Sequence, residues 1–384
     1  MQQRIASLDL IRGVAVLAIL LVNIYAFALP YQAYDTPLWL IGVVNEVDIW
    51  VYGVQQLFVN GRFITLFSVL FGAGLALQMQ RMGEDGRDAR KLTLRRLYWL
   101  LVFGLVHGIF IWYGDILTIY ALVGLIVYRW SNKPTAWLFK WAFITYALGC
   151  ASMALLMWAT ISMNLPISQD PWDAIQLTRA GLVEQAELWT GPYADQLKLQ
   201  AIFFFVSVAG AAITFAWMAA GMMLCGMGLY HRGFFTRGLS VSRILVLFTV
   251  GLALALADVW LKYDAGWVSA SAALNPLPFI AAAFMAAVYA ALMVRWAAIG
   301  GWLARALQSA GQMAFTLYIG QSVVMGLLFR WLAPDLWGQL SRLECLAVVL
   351  VYTLVQVAFA VTWRKYCGQG PLERLWRWLV IRTP

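Results

Sequence analysis

Long apolar runs constrain this chain more than any other feature of its sequence. Ten of them approach or exceed the roughly 20 apolar residues that one membrane-crossing helix requires. They are residues 9–29, 62–81, 95–113, 115–130, 136–160, 200–229, 242–261, 276–296, 311–332 and 343–363. Hydrophobic residues make up 63% of the chain and charged residues 12%, whereas a soluble domain is about half apolar and a quarter charged. The sequence therefore predicts an all-α polytopic membrane protein with about ten transmembrane helices.

Basic residues are concentrated in the short connections between the apolar runs. The connection 81–96 contains Arg81, Arg87, Arg90, Lys91, Arg95 and Arg96. Because cytoplasmic loops of membrane proteins are enriched in Lys and Arg, this connection is predicted to face the cytoplasm. Counting the other spans from it places both termini on the inside. The same pattern accounts for the net charge of +9, and we expect no nucleic-acid partner.

Three segments are predicted not to cross the bilayer. Residues 38–58 are apolar but contain Glu46 and Asp48, which favours a re-entrant or interfacial helix. The acidic stretch 161–199 is too long for a hairpin loop and is predicted to form an external amphipathic connection. The C-terminal sequence "GPLERLWRWLVIR" has one apolar and one basic face, which is typical of an interfacial helix. The predicted organisation is an N-terminal transmembrane half, an external connection and a C-terminal half: residues 1–160, 161–199 and 200–384.

Sequence motifs of known catalytic and metal sites are missing. Three of the four cysteines lie in apolar runs, Cys367 lies in the basic tail, and no CxxC or Cys/His cluster occurs. We therefore expect neither a disulfide framework nor a metal site. No GxSxG, HExxH or Walker A sequence is present either. Candidate functional residues must instead be sought among polar side chains inside the spans, because these are costly in lipid and usually functional or structural.

The first candidate group opens the first span, in the sequence "LDLIRG". At 100° per residue, Asp9, Arg12 and Asn23 lie on one helix face. Arg12 is near the predicted cytoplasmic end, and Asn23 lies roughly 16 Å further out. Two interpretations remain open: Asp9 and Arg12 neutralise each other at the interface, or Arg12 binds an anionic cytosolic ligand.

The second group lies in "GLVHGIFIWYGDIL", which contains His107, one of two histidines, and Asp115. Gly104 and Gly108 are expected to leave room beside His107 for another helix or a ligand chain. The histidine is either a hydrogen-bonded packing residue or a general base, acyl carrier or proton relay. Imidazole suits the last three roles because it titrates near neutrality.

The third group is the polar stretch "GQMAFTLYIGQS" at 311–322. Hydrogen bonding between helices alone would explain its composition. The alternative is that Tyr318 and Gln321 line a site.

Several blocks of the sequence resemble the YeiB-like family of bacterial inner-membrane proteins. They are "SLDLIRGVAVLAILLVNIYAFALP", "FITLFSVLFGAGL", "GLVHGIFIWYGDILTIYALVGLI" and "GPLERLWRWL". The 311–322 segment looks like the start of that family's C-terminal domain of unknown function. The family is grouped with transmembrane acyltransferases, including heparan glucosaminide acetyltransferases and polysaccharide O-acyltransferases. The resemblance implies a roughly ten-helix inner-membrane fold that moves an acyl group from cytosolic acyl-CoA to an acceptor at the outer face.

The resemblance also implies where the donor binds. In the O-acyltransferases an arginine near the start of the first span serves the coenzyme, and Arg12 is its counterpart. We therefore expect acyl-CoA to bind near Asp9, Arg12, Arg95 and Arg96, without a metal ion. The acceptor would be a sugar, a lipid or another small molecule, and self-association is left open.

In the heparan enzymes an intramembrane histidine is catalytic, and by this resemblance His107 takes that role. Asp115 would orient the imidazole or bind the acceptor from outside, and Asn23 or Tyr318 would donate a hydrogen bond to the developing oxyanion. The residues expected to line the acceptor site or tunnel are Trp112, Tyr318 and Gln321. The rival hypothesis is a proton-coupled transporter or flippase in which His107 and Asp115 relay protons.

Overall fold

The structure is a computed structural model that describes residues 5–84, 86, 88–162, 176–264 and 274–382. The described residues are predominantly α-helical. The helices are α1 Ala6–Ala18, α2 Leu20–Ala28, α3 Glu46–Phe58, α4 Arg62–Glu84, α5 Ala89–Phe110, α6 Leu117–Val127, α7 Thr135–Ser162, α8 Arg179–Thr190, α9 Tyr193–Ile213, α10 Phe215–His231, α11 Phe234–Arg237, α12 Val241–Asp264, α13 Leu277–Ile299, α14 Trp302–Gln312, α15 Ala314–Leu327, α16 Arg342–Tyr366 and α17 Pro371–Arg382.

Nine helical segments of the described residues are long and apolar enough to cross a membrane. They are Ala6–Ala28, Glu46–Glu84, Ala89–Phe110, Thr135–Thr160, Tyr193–Ile213, Val241–Asp264, Leu277–Ile299, Ala314–Leu332 and Arg342–Tyr366. The predicted all-α polytopic membrane fold is thereby confirmed. The orientation with both termini inside stays a prediction.

The predicted span 200–229 is not one helix, and that prediction is wrong. Thr214 separates α9 from α10 with φ −120° and ψ −81°, outside the helical region. Its Oγ1 donates to the carbonyl of Gly210 at 3.0 Å, a back-bond that commonly bends helices. A hydropathy pattern cannot detect this break because both sides of it are apolar.

The predicted span 115–130 is shorter than a full crossing. α6 and the 3₁₀ turn that follows it cover only Leu117–Trp130, which falls below the length of a spanning helix. The reason is that the connection between α5 and α6 is buried. Trp112 is 3% exposed and belongs to a core cluster with Phe27, Trp189 and Trp337.

Both predicted interfacial helices are present as helices. α3 has 13 residues and exposes an apolar stripe of Val47, Trp50 and Val54. Its own length is too short to cross a bilayer, although it continues into α4 after a turn at Gly61, φ 74°. The C-terminal helix α17 packs against α5 and α15. In the external connection, Asp170 and Asp173 lie outside the described residues, and α8 covers Arg179–Thr190.

Glycines bring two helix pairs into close contact. A Cβ added at Gly13 of α1 would lie 1.9 Å from the carbonyl oxygen of Leu307 on α14. A Cβ at Gly226 of α10 would lie 2.0 Å from the carbonyl oxygen of Val69 on α4. Such small-residue contacts are a common basis of helix packing in membranes. They hold α1 and α4, which flank the candidate site, firmly in the bundle.

Candidate functional site

The α5–α6 hairpin brings His107 and Asp115 together. α5 ends at Phe110, and the amide of Trp112 donates to the carbonyl of His107 at 2.8 Å, which reverses the chain. Asp115 then precedes the first turn of α6. Nδ1 of His107 lies 2.8 Å from Oδ1 of Asp115, and the histidine is 1% exposed.

Asp115 is itself held in place. Its Oδ2 accepts a hydrogen bond from the amide of Thr118 at 2.7 Å, so the carboxylate caps the start of α6. A carboxylate only accepts hydrogen bonds, so the imidazole proton resides on Nδ1. When the imidazole is neutral, a proton on Nδ1 leaves Nε2 as the nitrogen available as a base.

Three buried polar atoms of this hairpin have no hydrogen-bond partner among the described residues. They are Nε2 of His107, Nε1 of Trp112 and Oγ1 of Thr118. Buried polar atoms in proteins are nearly always hydrogen-bonded, and exceptions usually have a functional cause or bind water or a ligand. This hairpin is therefore the strongest candidate for chemistry among the three groups that the sequence singles out.

Aromatic rings surround the imidazole. The ring of Tyr318 lies 5.2 Å from it and the ring of Trp112 lies 6.2 Å from it, centroid to centroid. The Tyr318 hydroxyl also accepts from the amide of Ile116 at 3.3 Å. Beyond the hairpin, Tyr113 contacts Trp189 at 5.6 Å and Phe203 at 5.3 Å. The imidazole is therefore enclosed by protein.

Of the two expected occupants, neighbouring helices rather than a ligand chain fill the space beside Gly104 and Gly108. A Cβ at Gly104 would lie 2.6 Å from Oγ1 of Thr118 and 3.0 Å from Oδ2 of Asp115. A Cβ at Gly108 would lie 2.1 Å from the ring of Phe204. Both glycines therefore face side chains of neighbouring segments, and Gly104 permits the Asp115 carboxylate to approach α5.

Gln321 and Asn23 have local partners of their own. Nε2 of Gln321 donates to the carbonyl of Val16 at 2.8 Å and to Oε1 of Gln356 at 3.0 Å, which links α15 to α1 and α16. Oδ1 of Asn23 accepts from the hydroxyl of Tyr34 at 2.9 Å. Burial raises the pKa of Tyr34, so this phenol stays a donor. The amide nitrogen of Gln321 therefore links helices, whereas its Oε1 is buried without a hydrogen-bond partner among the described residues, and Asn23 is joined to Tyr34.

The residues expected at the coenzyme end lie at the other end of α5. Arg12 pairs with Asp9 at 3.5 Å, and Gln312 donates to Asp9 at 3.1 Å. The guanidinium of Arg96 lies 4.5 Å above the ring of Trp376 on α17.

Arg12 and Arg377 are the charged neighbours of Arg96. These three arginines form a cluster that we call the inner cationic cluster. Arg95 is half-buried on the neighbouring position of α5. The structure therefore brings the expected donor-binding residues to one end of the bundle.

Aromatic rings fill the space between the inner cationic cluster and His107. Phe315 of α15 contacts Trp376 at 5.6 Å and Phe103 of α5 at 5.1 Å. A cavity of about 480 Å³ does open elsewhere, lined by Ile5, Gln80 and residues 230–237 in part. None of its lining residues belongs to α5 or α6.

The comparisons with known proteins concern nearly the whole chain. Residues 227–383 match the family described as "Protein of unknown function (DUF418)". YeiB of Escherichia coli K12 is 33% identical over 394 residues, covering 99% of this chain and 97% of the relative. The chain belongs to the YeiB family.

Further relatives from two Bacillus species support the same membership. YxaH of Bacillus subtilis is 26% identical and covers 98% of this chain. A 39.9 kDa protein of the amylase 3′ region in Bacillus acidopullulyticus is 27% identical and also covers 98%. Each match spans 94% of the relative. The domain match of this YeiB-family chain begins at residue 227, ahead of the 311–322 segment that the sequence predicts as its start.

Sequence reasoning missed a second set of buried charges in this YeiB-family chain. They lie at the ends of the spans opposite the inner cationic cluster: Arg62, Asp258, Lys262, Arg330 and Arg342. Arg62 and Arg342 border predicted spans and resemble flanking interfacial residues, so their burial gave no signal. Asp258 and Lys262 were detectable, because they lie four residues apart inside or beside the run 242–261 and can pair on one helix face.

Proposed function

We propose that this YeiB-family chain is an acyltransferase of the bacterial inner membrane, with the reaction centred on His107. The observation that carries the proposal is the buried His107–Asp115 pair, whose Nε2 has no partner among the described residues. A base oriented by a third group is the arrangement that nucleophilic and general-base catalysis require. Desolvation strengthens the electrostatic interactions of such a site.

The overall reaction converts acyl-CoA and an acceptor hydroxyl or amine into the acylated acceptor and free CoA thiol. In one version, Nε2 of His107 attacks the thioester carbonyl, the C–S bond breaks, and the acceptor then takes the acyl group from the imidazole. In the other version, Nε2 accepts the acceptor's proton while the acceptor attacks the thioester directly. Nε1 of Trp112 and the hydroxyl of Tyr318 are candidate donors to the oxyanion in both.

The donor would bind from the inner face. The phosphates of acyl-CoA would contact the inner cationic cluster of Arg12, Arg96 and Arg377, with Arg95 nearby. Arginine suits this role because its guanidinium forms bidentate, charge-assisted hydrogen bonds with phosphate. Arg96 and His107 lie eleven residues apart on α5, or roughly 16 Å along the helix axis. An extended pantetheine chain covers that distance once Phe315 moves aside.

The test is acetyl-CoA binding and thiol release by the purified full-length protein, with glucosamine as acceptor. His107→Ala should abolish turnover and retain binding, whereas Arg12→Ala should weaken binding at least tenfold. His231→Ala is the matched control, because this second histidine bonds the carbonyl of Ser131 at 2.6 Å, away from the hairpin. Absence of acetyl-CoA binding, or turnover that survives His107→Ala, contradicts the proposal.

A second candidate function is proton-coupled transport of a small metabolite or lipid. The enclosure of His107–Asp115 between Tyr113 on one side and Phe315 on the other favours it, because an occluded relay needs no open route to a coenzyme. Proton-driven uptake into proteoliposomes that His107→Ala abolishes, without thiol release, would support transport over acyl transfer.

A further inference from the structure

A fully buried arginine begins α4, far from the α5–α6 hairpin in sequence. Arg62 is 0% exposed, and its Nη1 donates to the carbonyl of Asn60. Its Nε and Nη2 have no hydrogen-bond partner within the described ranges. These two nitrogens form one edge of the guanidinium, the edge that binds two oxygens of a carboxylate or phosphate side by side.

The nearest charged side chains are already bonded to each other. Lys262 pairs with Asp258 at 2.9 Å and donates to Oε1 of Gln56 at 3.0 Å. Asn275 donates to the other oxygen of Asp258 at 3.0 Å. Among the described residues, no carboxylate lies within ion-pair distance of Arg62. Asp258 is therefore bonded to Lys262 and Asn275 and forms no ion pair with Arg62.

The hydroxyl groups of two tyrosines near Arg62 already donate hydrogen bonds to backbone carbonyls. Tyr289 of α13 donates to the carbonyl of Phe58 at 2.8 Å, and Tyr146 of α7 donates to the carbonyl of Phe279. Both phenols are neighbours of the guanidinium. The hydroxyl protons thus point to the backbone. The environment of Arg62 is therefore polar, and the Nε–Nη2 edge of its guanidinium has no hydrogen-bond partner among the described residues.

Two other buried arginines leave less of the guanidinium unpaired, although Nε of Arg342 also has no hydrogen-bond partner among the described residues. Arg342 donates to the carbonyls of Ala33 and Thr36 and stacks on Tyr25 at 4.4 Å. Arg330 donates to Oε1 of Gln200 at 3.0 Å. Because arginine does not lose its proton in proteins, a buried guanidinium with an unpaired edge is retained only where something compensates its charge.

We propose that Arg62 anchors a binding site for an oxyanion, the carboxylate or phosphate group of a small ligand. Nε and Nη2 each donate one hydrogen bond to an oxygen of that group, and Lys262 adds positive charge. The site goes beyond the acyl-transfer proposal, since it is built from α4, α12 and α13 and uses none of the residues assigned there. On the topology that loop charge predicts, it lies toward the outer face, opposite the basic 81–96 connection.

The experiment measures thermal unfolding of the purified full-length protein by its tryptophan fluorescence. Acetate, succinate, inorganic phosphate and chloride are compared at equal ionic strength, without other carboxylates or phosphates in the buffer. The proposal predicts a saturable rise in Tm of several degrees with carboxylate or with phosphate, but not with chloride. A response to carboxylates alone identifies an organic acid, and a response to phosphate alone identifies a phosphate or phosphate ester.

Arg62→Gln tests the assignment to this side chain. This substitution should abolish the Tm rise. In ligand-free buffer the variant should melt no lower than the parent, because the substitution removes a buried charge that has no carboxylate in ion-pair contact. The matched control Arg342→Gln should melt several degrees lower in all buffers yet keep the full Tm rise. Arg62→Lys keeps the charge without the two-nitrogen edge and should require at least tenfold more ligand for the same rise.

Three outcomes overturn the proposal. One is an equal Tm rise with chloride, which means an adventitious ion only. Another is a Tm rise that both Arg62→Gln and Arg62→Lys retain. The third is the absence of any saturable rise with acetate, succinate or phosphate. If Arg62→Gln fails to fold, Arg62 has a structural role, and the Arg62→Lys titration decides whether the edge also binds an oxyanion.

Discussion

Asp115 determines what His107 can do chemically. The carboxylate accepts a hydrogen bond from Nδ1–H and a second one from the amide of Thr118. These bonds give the imidazole one orientation and one neutral tautomer. The consequence is a basic Nε2 inside a buried, aromatic environment. A lone histidine in a helix would lack both constraints.

Asp115→Asn is predicted to remove activity while leaving the hairpin folded. The amide nitrogen of asparagine would donate to Nδ1, which forces the proton onto Nε2 and removes the base. In a comparable Asp–His unit this change costs about 10⁴-fold in rate, and we expect at least about 100-fold here. Thiol release from acetyl-CoA measures it, and an unchanged Tm serves as the control. Activity within a few-fold of the parent would mean that the tautomer is unimportant.

Helix termini and helix crossings determine how the site is closed. Glu373 of α17 accepts from the amides of Phe315 and Thr316 at 2.8 and 3.1 Å, so one carboxylate caps the start of α15. Trp376 of α17 also donates to the carbonyl of Arg96 at 3.1 Å. The tail helix is thereby attached to α5, which carries His107, and to α15, which carries Tyr318. The contact is electrostatically favourable because a helix N-terminus carries partial positive charge.

Glu373→Ala is predicted to loosen α17. Loss of a helix N-cap costs about 1 kcal/mol, and here it also removes the link between two helices. The expected result is faster tryptic cleavage at Arg374 and Arg377, followed by gel analysis of the C-terminal fragment. Glu344→Ala is the matched control, because Glu344 caps the start of α16 together with Ser341, whereas α17 follows the other end of α16. Equal cleavage rates in the parent and Glu373→Ala would show that the Glu373 carboxylate does not hold α17 in place.

The crossing of α4 and α10 depends on glycine. A Cβ at Gly72 would lie 1.9 Å from the carbonyl oxygen of Met223, whereas a Cβ at Gly74 on the same helix would meet nothing within 4 Å. Gly72→Ala should therefore lower Tm by several degrees, because backbone atoms must separate. Gly74→Ala should be neutral or slightly stabilising, since alanine favours helix over glycine. Indistinguishable Tm values for the two variants would show that the crossing tolerates a methyl group.

At the scale of the whole molecule, charge is divided between the two ends of the bundle. One end carries the inner cationic cluster, and the other carries the buried network around Arg62, Lys262 and Arg342. The first is partly solvated, since Arg12 keeps a third of its side chain exposed. The second is enclosed. The predicted orientation assigns the first end to the cytoplasm.

Cys367 offers a test of that orientation. It is exposed in the connection between α16 and α17, whereas Cys150 and Cys345 are buried. A membrane-impermeant maleimide should therefore label the protein only after the cells are permeabilised, if the C-terminus is inside. Cys367→Ser should abolish that labelling and so controls for Cys225, which is half-buried. Labelling of Cys367 in intact spheroplasts would show that the C-terminus is outside and contradict the predicted orientation.

Much of the fold and part of the site follow from sequence. Span positions are predictable because lipid accepts only long apolar helices. His107 and Asp115 are only eight residues apart, so a short hairpin brings them together. Arg62, Asp258 and Lys262 escape such reasoning because a charge at a span end looks the same whether lipid headgroups or other helices surround it. The Thr214 break and the filled spaces at Gly104 and Gly108 escape it because hydropathy carries no information on helix bending or neighbours.

The membrane class, the approximate spans, the family resemblance and the proximity of the two hairpin residues follow from the sequence alone. These depend on composition, local spacing and chain order, which are properties of neighbouring residues. The packing of the helices is needed to show that, among the described residues, Nε2 of His107 is enclosed without a partner and Arg62 is buried with one edge unpaired. Burial and hydrogen-bond satisfaction depend on residues hundreds of positions away, and these meet only when the helices pack.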